Sequence, residues 1–185
     1  MTMRSLLFVP GDRPERFDKA SACGADAVII DLEDSVDHTN KDKARDAVVA
    51  YGQSTRSSRL FVRINPLTSQ YFPEDLLAVR KTEPDGVVLP KCEGAETVER
   101  LAAQLRDVGC DRTPILPIAT ETPMAIFRLG TFEKVREYLF GLTWGAEDLP
   151  AAIGATTSRE PDGRYTAPYE LVRSLALFAA HAAGV

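Results

Sequence analysis

Ionisable residues gather in six short clusters, each at the end of an apolar run. They are Pro10-Gly11-Asp12-Arg13-Pro14, Asp31-Leu32-Glu33-Asp34-Ser35, Arg63 with Asn65, Pro90-Lys91-Cys92-Glu93, Thr120-Glu121-Thr122, and Trp144-Gly145-Ala146-Glu147-Asp148-Leu149. Acids outnumber bases among them. Converging carboxylates suit a hard, oxygen-loving ion such as Mg²⁺, held through one or two carboxylates plus water and substrate oxygens. Zinc is disfavoured, because the chain has only 2 histidines, and neither His38 nor His181 stands at a ligand spacing. Arg63 interrupts an apolar run, where a charge must be paired or functional. Its planar fork suits a carboxylate. Glu121 precedes Thr122-Pro123, a turn that puts it at a strand tip. A lone acid after a strand also reads as a helix cap or a solvated charge, and that alternative stands for Asp34 and Glu147. The backbone N–H groups of Gly11 to Arg13 suit a phosphate or carboxylate at a helix start, or merely form a turn and cap.

These residues need a scaffold that brings strand ends together. The apolar runs are Ser5–Val9, Ala27–Ile30, Leu60–Ile64, Gly86–Leu89, Pro114–Ile118 and Tyr138–Leu142. Continuous apolarity, not alternation, predicts strands buried on both faces of a parallel sheet. Segments with helical periodicity lie between them. Arg13–Ala22 follows Asp12 as N-cap, carries Pro14 in its first turn and stops at Gly24. Lys41–Ala50, Pro73–Lys81, Ala95–Val108, Phe132–Glu137 and Pro168–Ala183 are the others, the last with Leu171, Leu175, Phe178 and Ala182 on one stripe. Six β/α units in alternation predict an α/β fold with right-handed crossovers, in which ligands sit at the carboxyl ends of strands. A six-stranded, doubly wound open sheet suits 185 residues better than an eight-unit barrel, which needs typically ~250. No GxGxxG follows the first strand, so a dinucleotide site is unsupported.

Composition sets the outer bounds. With 44% hydrophobic residues, 26% charged residues and a net charge of -5, the chain is globular and lacks the basic footprint of a nucleic-acid binder. Dispersed lysines and arginines give no membrane-surface patch, and no apolar run near the start is long enough for a signal peptide or membrane span. Cys23, Cys92 and Cys110 show no paired spacing and read as reduced structural thiols. A cytosolic protein is expected.

Taken in order, the clusters resemble the citrate lyase beta-subunit-like proteins of the HpcH/HpaI aldolase family. The resemblance rests on Leu7–Ala20, on Asp31-Leu32-Glu33-Asp34-Ser35-Val36 with Lys43-Ala44-Arg45, and on Val62-Arg63-Ile64-Asn65. It rests also on Leu89-Pro90-Lys91 with Glu93, on Ala119-Thr120-Glu121-Thr122, and on Gly145-Ala146-Glu147-Asp148-Leu149. It implies a phosphoenolpyruvate/pyruvate-type (β/α) barrel of the TIM kind. This chain then covers six units as a single domain over residues 1–185, with the last two units missing.

The resemblance also implies a Mg²⁺-dependent carbon–carbon lyase. Its reaction is retro-Claisen or aldol cleavage of a citryl-, malyl- or citramalyl-type thioester of coenzyme A or an acyl carrier protein, releasing a 2-oxo acid. Glu121 and Asp148 correspond to the metal-ligating carboxylates. Arg63 corresponds to the arginine that grips the oxo acid, with Glu33 and Asp34 orienting it or the metal-bound waters. Gly145, Ala146 and Glu147 correspond to substrate-contacting positions, and Gly11, Arg13 and Lys19 to part of the thioester-carrier site. The general acid or base is not identified, because relatives continue past Val185. Two alternatives share the site: an aldolase on free 2-oxo acids, and a non-catalytic metabolite- or partner-binding relative. A homo-oligomer, trimer or hexamer, is expected on every reading, since missing units would expose sheet edges. The loop Thr156–Tyr165 reads as a mobile flap or a surface excursion.

Overall fold

The structure, a computed structural model, describes residues 3–185. The chain divides into two compact units. One comprises the chain up to Val88 with Ala103–Pro114, the other Leu89–Ala102 with Ile115–Val185. Five strands are formed, in the order β1-β2-β3-β4-β5.

In the first unit β1 (Leu6–Pro10), β2 (Ala27–Asp31), β3 (Arg59–Arg63) and β4 (Gly86–Leu89) follow the apolar runs within a residue or two. All three pairings are parallel. Their register sets Pro10 beside Asp31 and Asp31 beside Arg63, so an acid and a base are level where the strands end. β2 is buried along its whole length, as an uninterrupted apolar run requires. β1 differs, with Leu6, Leu7 and Phe8 exposed. Gly86 is required by packing, since a Cβ there would lie 2.3 Å from the Phe61 ring.

Helices α2 (Lys41–Gly52) and α3 (Phe72–Thr82) cover the expected segments. The first helical segment does not. Pro14–Arg16 is a 3₁₀ turn, and only Phe17–Ser21 (α1) is α-helical. Asp12 caps nothing there; its carboxylate instead accepts from the Asn40 side-chain amide at 2.9 Å. Helix α4 spans Ala95–Asp107.

In the second unit the Leu89 carbonyl accepts from the Ile118 N–H at 2.9 Å, beside β5 (Ile115–Pro117). Helix α5 (Pro123–Phe127) is capped by Thr122, whose hydroxyl accepts from the Ala125 N–H, and a 3₁₀ helix covers Leu129–Tyr138. The sixth expected strand is not formed. Tyr138–Leu142 gives only isolated parallel bridges, Ile115 to Leu139 and Ile118 to Thr143. The second bridge is out of register with the first by one residue, so a bulge at Phe140–Leu142 breaks the ladder. The six-unit expectation therefore stands corrected to five strands.

Two further helices complete this unit: α6 (Asp148–Ile153) and α7 (Ala167–Ala183), which ends at Gly184 in the left-handed region. The apolar stripe of Leu171, Leu175, Phe178 and Ala182 is not the buried face of α7. Tyr169, Val172, Ala176, Ala179 and Ala183 face inward, whereas Leu171 and Phe178 are 59% and 65% exposed. Small residues let the helix approach its neighbours closely, so the alanine stripe outcompetes the bulkier one. The loop before α7 is tied into a short hairpin by an antiparallel Arg159–Tyr165 bridge and an N–H from Glu160 to the Arg164 carbonyl. Among the described residues no helix is long and apolar enough to cross a membrane.

Candidate functional site

Arg63, at the end of β3, is fastened from two sides. Its Nε and Nη2 donate to the two oxygens of Asp31 at 2.7 and 2.6 Å, a side-on bidentate pair. Its Nη1 lies 3.0 Å from Glu33 Oε2. The Phe8 ring underlies the guanidinium at 4.9 Å. Asp31 is 1% exposed and also accepts from the backbone N–H groups of Glu33 and Ser35. Burial pushes the Asp31 carboxyl up, but the hydrogen bonds and charge of Arg63 outweigh it and hold the group below the ordinary range. Burial likewise works against the charge on Arg63, and Asp31 then raises its pKa above the usual arginine value.

The loop that delivers Glu33 is itself pinned. Lys41 donates to the carbonyls of Leu32 and Glu33 at 2.6 and 2.8 Å and to Asn65 Oδ1 at 3.1 Å. Burial lowers the pKa of this lysine. Asn65 donates from its backbone and side chain to Asp75, which also takes Arg45 Nε. The strand-end polar groups thus rest on a buried, hydrogen-bonded layer.

In the second unit Glu121 follows β5 and is 4% exposed. Its Oε2 accepts from the Lys91 N–H at 2.5 Å. The Lys91 ammonium lies 3.2 Å from Asp148 Oδ2, and Asp148 is within hydrogen-bonding reach of Glu121. Burial, above all, pushes the Glu121 carboxyl up to about 8; the Lys91 N–H and charge oppose this, and Asp148 reinforces it. Lys91 adopts the left-handed conformation with φ of 50°, a strain for a residue with a Cβ. Gly145 is the residue that leaves room for Glu121, since a Cβ there would lie 2.9 Å from Ile118 Cγ2 and 3.1 Å from Glu121 Cγ. The Thr120 hydroxyl fixes it by bonding both its N–H and its carbonyl. Thr122, besides capping α5, donates to Glu93 at 2.8 Å.

The sequence-predicted residues divide accordingly. Arg63 and Glu33 form one constellation, and Asp34 is exposed but adds its charge to the field on Arg63. Glu121, Asp148 and Gly145 form another. Ala146 is buried and Glu147 is exposed at the start of α6. Gly11 is buried against the end of β2, where a Cβ would lie 2.7 Å from the Asp31 carbonyl. Arg13 and Lys19 are exposed. Of the backbone N–H groups expected to form an anion cradle, that of Gly11 is spent on the Asp31 carbonyl and that of Arg13 on the Pro10 carbonyl.

Sequence reasoning placed Asp31, Lys91 and Thr120 in the strand-end clusters but gave them no role, and it did not single out Lys41. For Asp31 a signal existed, a carboxylate closing an apolar strand; for the others only the three-dimensional contacts identify them.

The donor set fits a hard cation. Two carboxylates converge, and among the described residues no cluster of three His, Cys, Asp or Glu side chains surrounds them. Water and substrate oxygens would complete the shell, as is usual for Mg²⁺.

Comparison with known proteins decides the family. The sequence profile of the HpcH/HpaI aldolase/citrate lyase family matches residues 4–185. The chain belongs to this family. Within it, a citrate lyase subunit beta-like protein of Mycobacterium tuberculosis is 38% identical over 182 residues, 96% of this chain and 60% of the relative. The citrate lyase subunit beta of Escherichia coli is 36% identical over 169 residues, 88% of this chain and 55% of that protein. The chain therefore spans less than two thirds of the length of these relatives. A crystal structure of CitE from Mycobacterium tuberculosis in complex with magnesium, acetoacetate and coenzyme A superposes with a TM-score of 0.82 at 36% identity. That match covers 98% of this chain and 63% of CitE.

Proposed function

We propose that this member of the citrate lyase family carries the metal and oxo-acid groups of a Mg²⁺-dependent carbon–carbon lyase. Its substrate is a 2-hydroxy acid thioester of the citryl, malyl or citramalyl kind, and its products are a 2-oxo acid and an acyl thioester. The observation that carries the proposal is the Glu121–Asp148 pair, one carboxylate 4% exposed and the other 35% exposed. A buried ligand joined to an open one fixes an ion while leaving a face for substrate. The parallel strands are read as part of the wall of a phosphoenolpyruvate/pyruvate-type barrel.

Glu121 and Asp148 would hold the ion. A bound Mg²⁺ supplies the Lewis acidity that polarises the 2-oxygen of the substrate. In the cleavage the hydroxyl proton leaves, the bond between the hydroxyl-bearing carbon and the thioester α-carbon breaks, and its electron pair passes into the thioester enolate, which is then protonated. Arg63 has five N–H groups; two are spent on Asp31 and one on Glu33, which leaves one on each terminal nitrogen for the carboxylate of the oxo acid. Asp31 and Glu33 hold that fork in place. Gly145, Ala146 and Glu147 would border the substrate, and Gly11, Arg13 and Lys19 the carrier, as coenzyme A or an acyl carrier protein. The binding of magnesium, acetoacetate and coenzyme A by CitE supports this reading.

Calorimetric titration with oxaloacetate or pyruvate in the presence and absence of Mg²⁺, alongside turnover assays on citryl- and malyl-thioesters, tests it. Mg²⁺-dependent oxo-acid binding and thioester cleavage are expected, both lost in Glu121→Ala and Asp148→Ala. Undiminished Mg²⁺-dependent binding in either variant overturns the site assignment. Turnover of free hydroxy acids but not thioesters points instead to an aldolase, and binding without any turnover to a non-catalytic relative. The exposed Leu171, Leu177 and Phe178 of α7 also support a homo-oligomer, trimer or hexamer, read out by sedimentation equilibrium.

A further inference from the structure

Lys91 touches both members of the carboxylate pair, and by two different groups. Its N–H donates to Glu121 Oε2 at 2.5 Å, while its ammonium pairs with Asp148 Oδ2 at 3.2 Å. The backbone contact depends on the left-handed conformation of Lys91, φ 50°. A lysine is a costly choice there, because glycine adopts that conformation without a steric penalty. What lysine adds over glycine is the side chain, and the side chain ends on Asp148. The Lys91 Nζ itself is buried, while the Lys91 and Asp148 side chains as wholes are each 35% exposed, so the pair sits at the edge of the core and not deep inside it. The ammonium therefore contacts one of the carboxylates assigned to the divalent ion.

We infer that Lys91 is the built-in counter-ion of the Glu121–Asp148 pair, a positioning residue that occupies Asp148 until a divalent ion displaces it. Lys91 thereby sets the free Mg²⁺ concentration at which the site fills. Its backbone N–H keeps Glu121 aimed throughout, so displacement alters only one of the two contacts. The freed ammonium remains tethered next to the site, where it meets an anionic substrate as a mobile donor. This inference rests on the reading of Glu121 and Asp148 as metal ligands.

Calorimetric titration of Mg²⁺ into wild-type protein, Lys91→Met, Lys91→Gly and Lys91→Arg tests it, with no substrate present. Lys91→Met and Lys91→Gly keep the N–H and remove the cation, and each is expected to bind Mg²⁺ at least tenfold more tightly than wild type, about 1.4 kcal/mol. Lys91→Arg keeps a cation and should stay within threefold of wild type. The rise in melting temperature on adding Mg²⁺ should be larger for Lys91→Met, as tighter binding to the folded state demands. The double variant Lys91→Met/Glu121→Gln should lose the tight binding, which ties it to this pair.

Equal or weaker Mg²⁺ binding by Lys91→Met and Lys91→Gly, with wild type binding normally, overturns the inference and leaves the metal reading intact. Arginine behaving like methionine also overturns it, since the charge would then be irrelevant. Absence of Mg²⁺ binding in all four proteins removes the metal reading and the inference together.

Discussion

Asp31→Asn tests how the strand ends are held, and its cost follows from a count of hydrogen bonds. Each oxygen of Asp31 accepts twice: Oδ1 from the Glu33 N–H and Arg63 Nε, Oδ2 from the Ser35 N–H and Arg63 Nη2. Asparagine keeps one acceptor oxygen and presents an NH₂ in place of the other. Whichever way the amide turns, two donors face a donor, and the guanidinium loses its charge partner at a site where Asp31 is 1% exposed. Removing one partner of a buried ion pair costs about 3–5 kcal/mol. Glu33, 3.0 Å from Nη1, still shares the Arg63 charge, so the lower end of that range applies, about 3 kcal/mol. For a chain of this size that corresponds to a fall in melting temperature of roughly 6–12 °C.

The assay is thermal and urea unfolding of wild type, Asp31→Asn, Arg63→Met and the double variant. A double-mutant cycle should return a coupling energy of about 1–3 kcal/mol. The pH dependence carries a definite sign. Asp31 has a depressed folded-state pKa, so its contribution is complete above the unfolded value of 3.8 and is lost as pH falls through the folded value. The wild-type advantage should therefore be full at pH 7 and shrink in acid below the unfolded value. A loss below about 1 kcal/mol, or a cycle with no coupling, refutes the claim that Asp31 anchors Arg63.

Other expectations are independent of that pair. Gly145→Ala puts a Cβ 2.9 Å from Ile118 Cγ2 and 3.1 Å from Glu121 Cγ. It should cost about 1–3 kcal/mol of overpacking and weaken Mg²⁺ binding in calorimetry, and unchanged binding would show that Glu121 has room to move. Cys92 is buried and its thiol is pushed up to about 12. At pH 8 an aromatic disulfide reagent should label exposed Cys23 quickly and leave Cys92 untouched until the protein unfolds, as peptide mass mapping would show. On α7, Leu171→Asp should change the melting temperature little in dilute protein, whereas Ala176→Asp should cost several kcal/mol by burying an unpaired charge. The reverse order would restore the bulky stripe as the buried face.

What was legible in the sequence was whatever local chemistry dictates. Strands β1 to β5 are short apolar runs, and each run lies within a residue or two of its strand because a buried parallel strand tolerates almost nothing else. Arg63 stood out because it interrupts an apolar run, where a charge must be paired or functional; Glu121 and Asp148 were set apart from caps and solvated charges by the resemblance of their motifs to the family. Failures came where two patterns of equal local merit competed. Helix α7 carries both an aliphatic and an alanine stripe, and periodicity cannot choose between them; packing distance does. Tyr138–Leu142 has the composition of a strand, yet a one-residue slip between Leu139 and Thr143 breaks the ladder, and register is invisible to composition.

Lys91 is the most instructive case, since its cluster was legible and its role was not. That role comes from a left-handed backbone that turns its N–H to one carboxylate while its side chain reaches another. Residue type alone points to the acids proposed to hold a metal. The basic group that contacts both of them becomes apparent only once the chain is folded, because it comes from a different strand end.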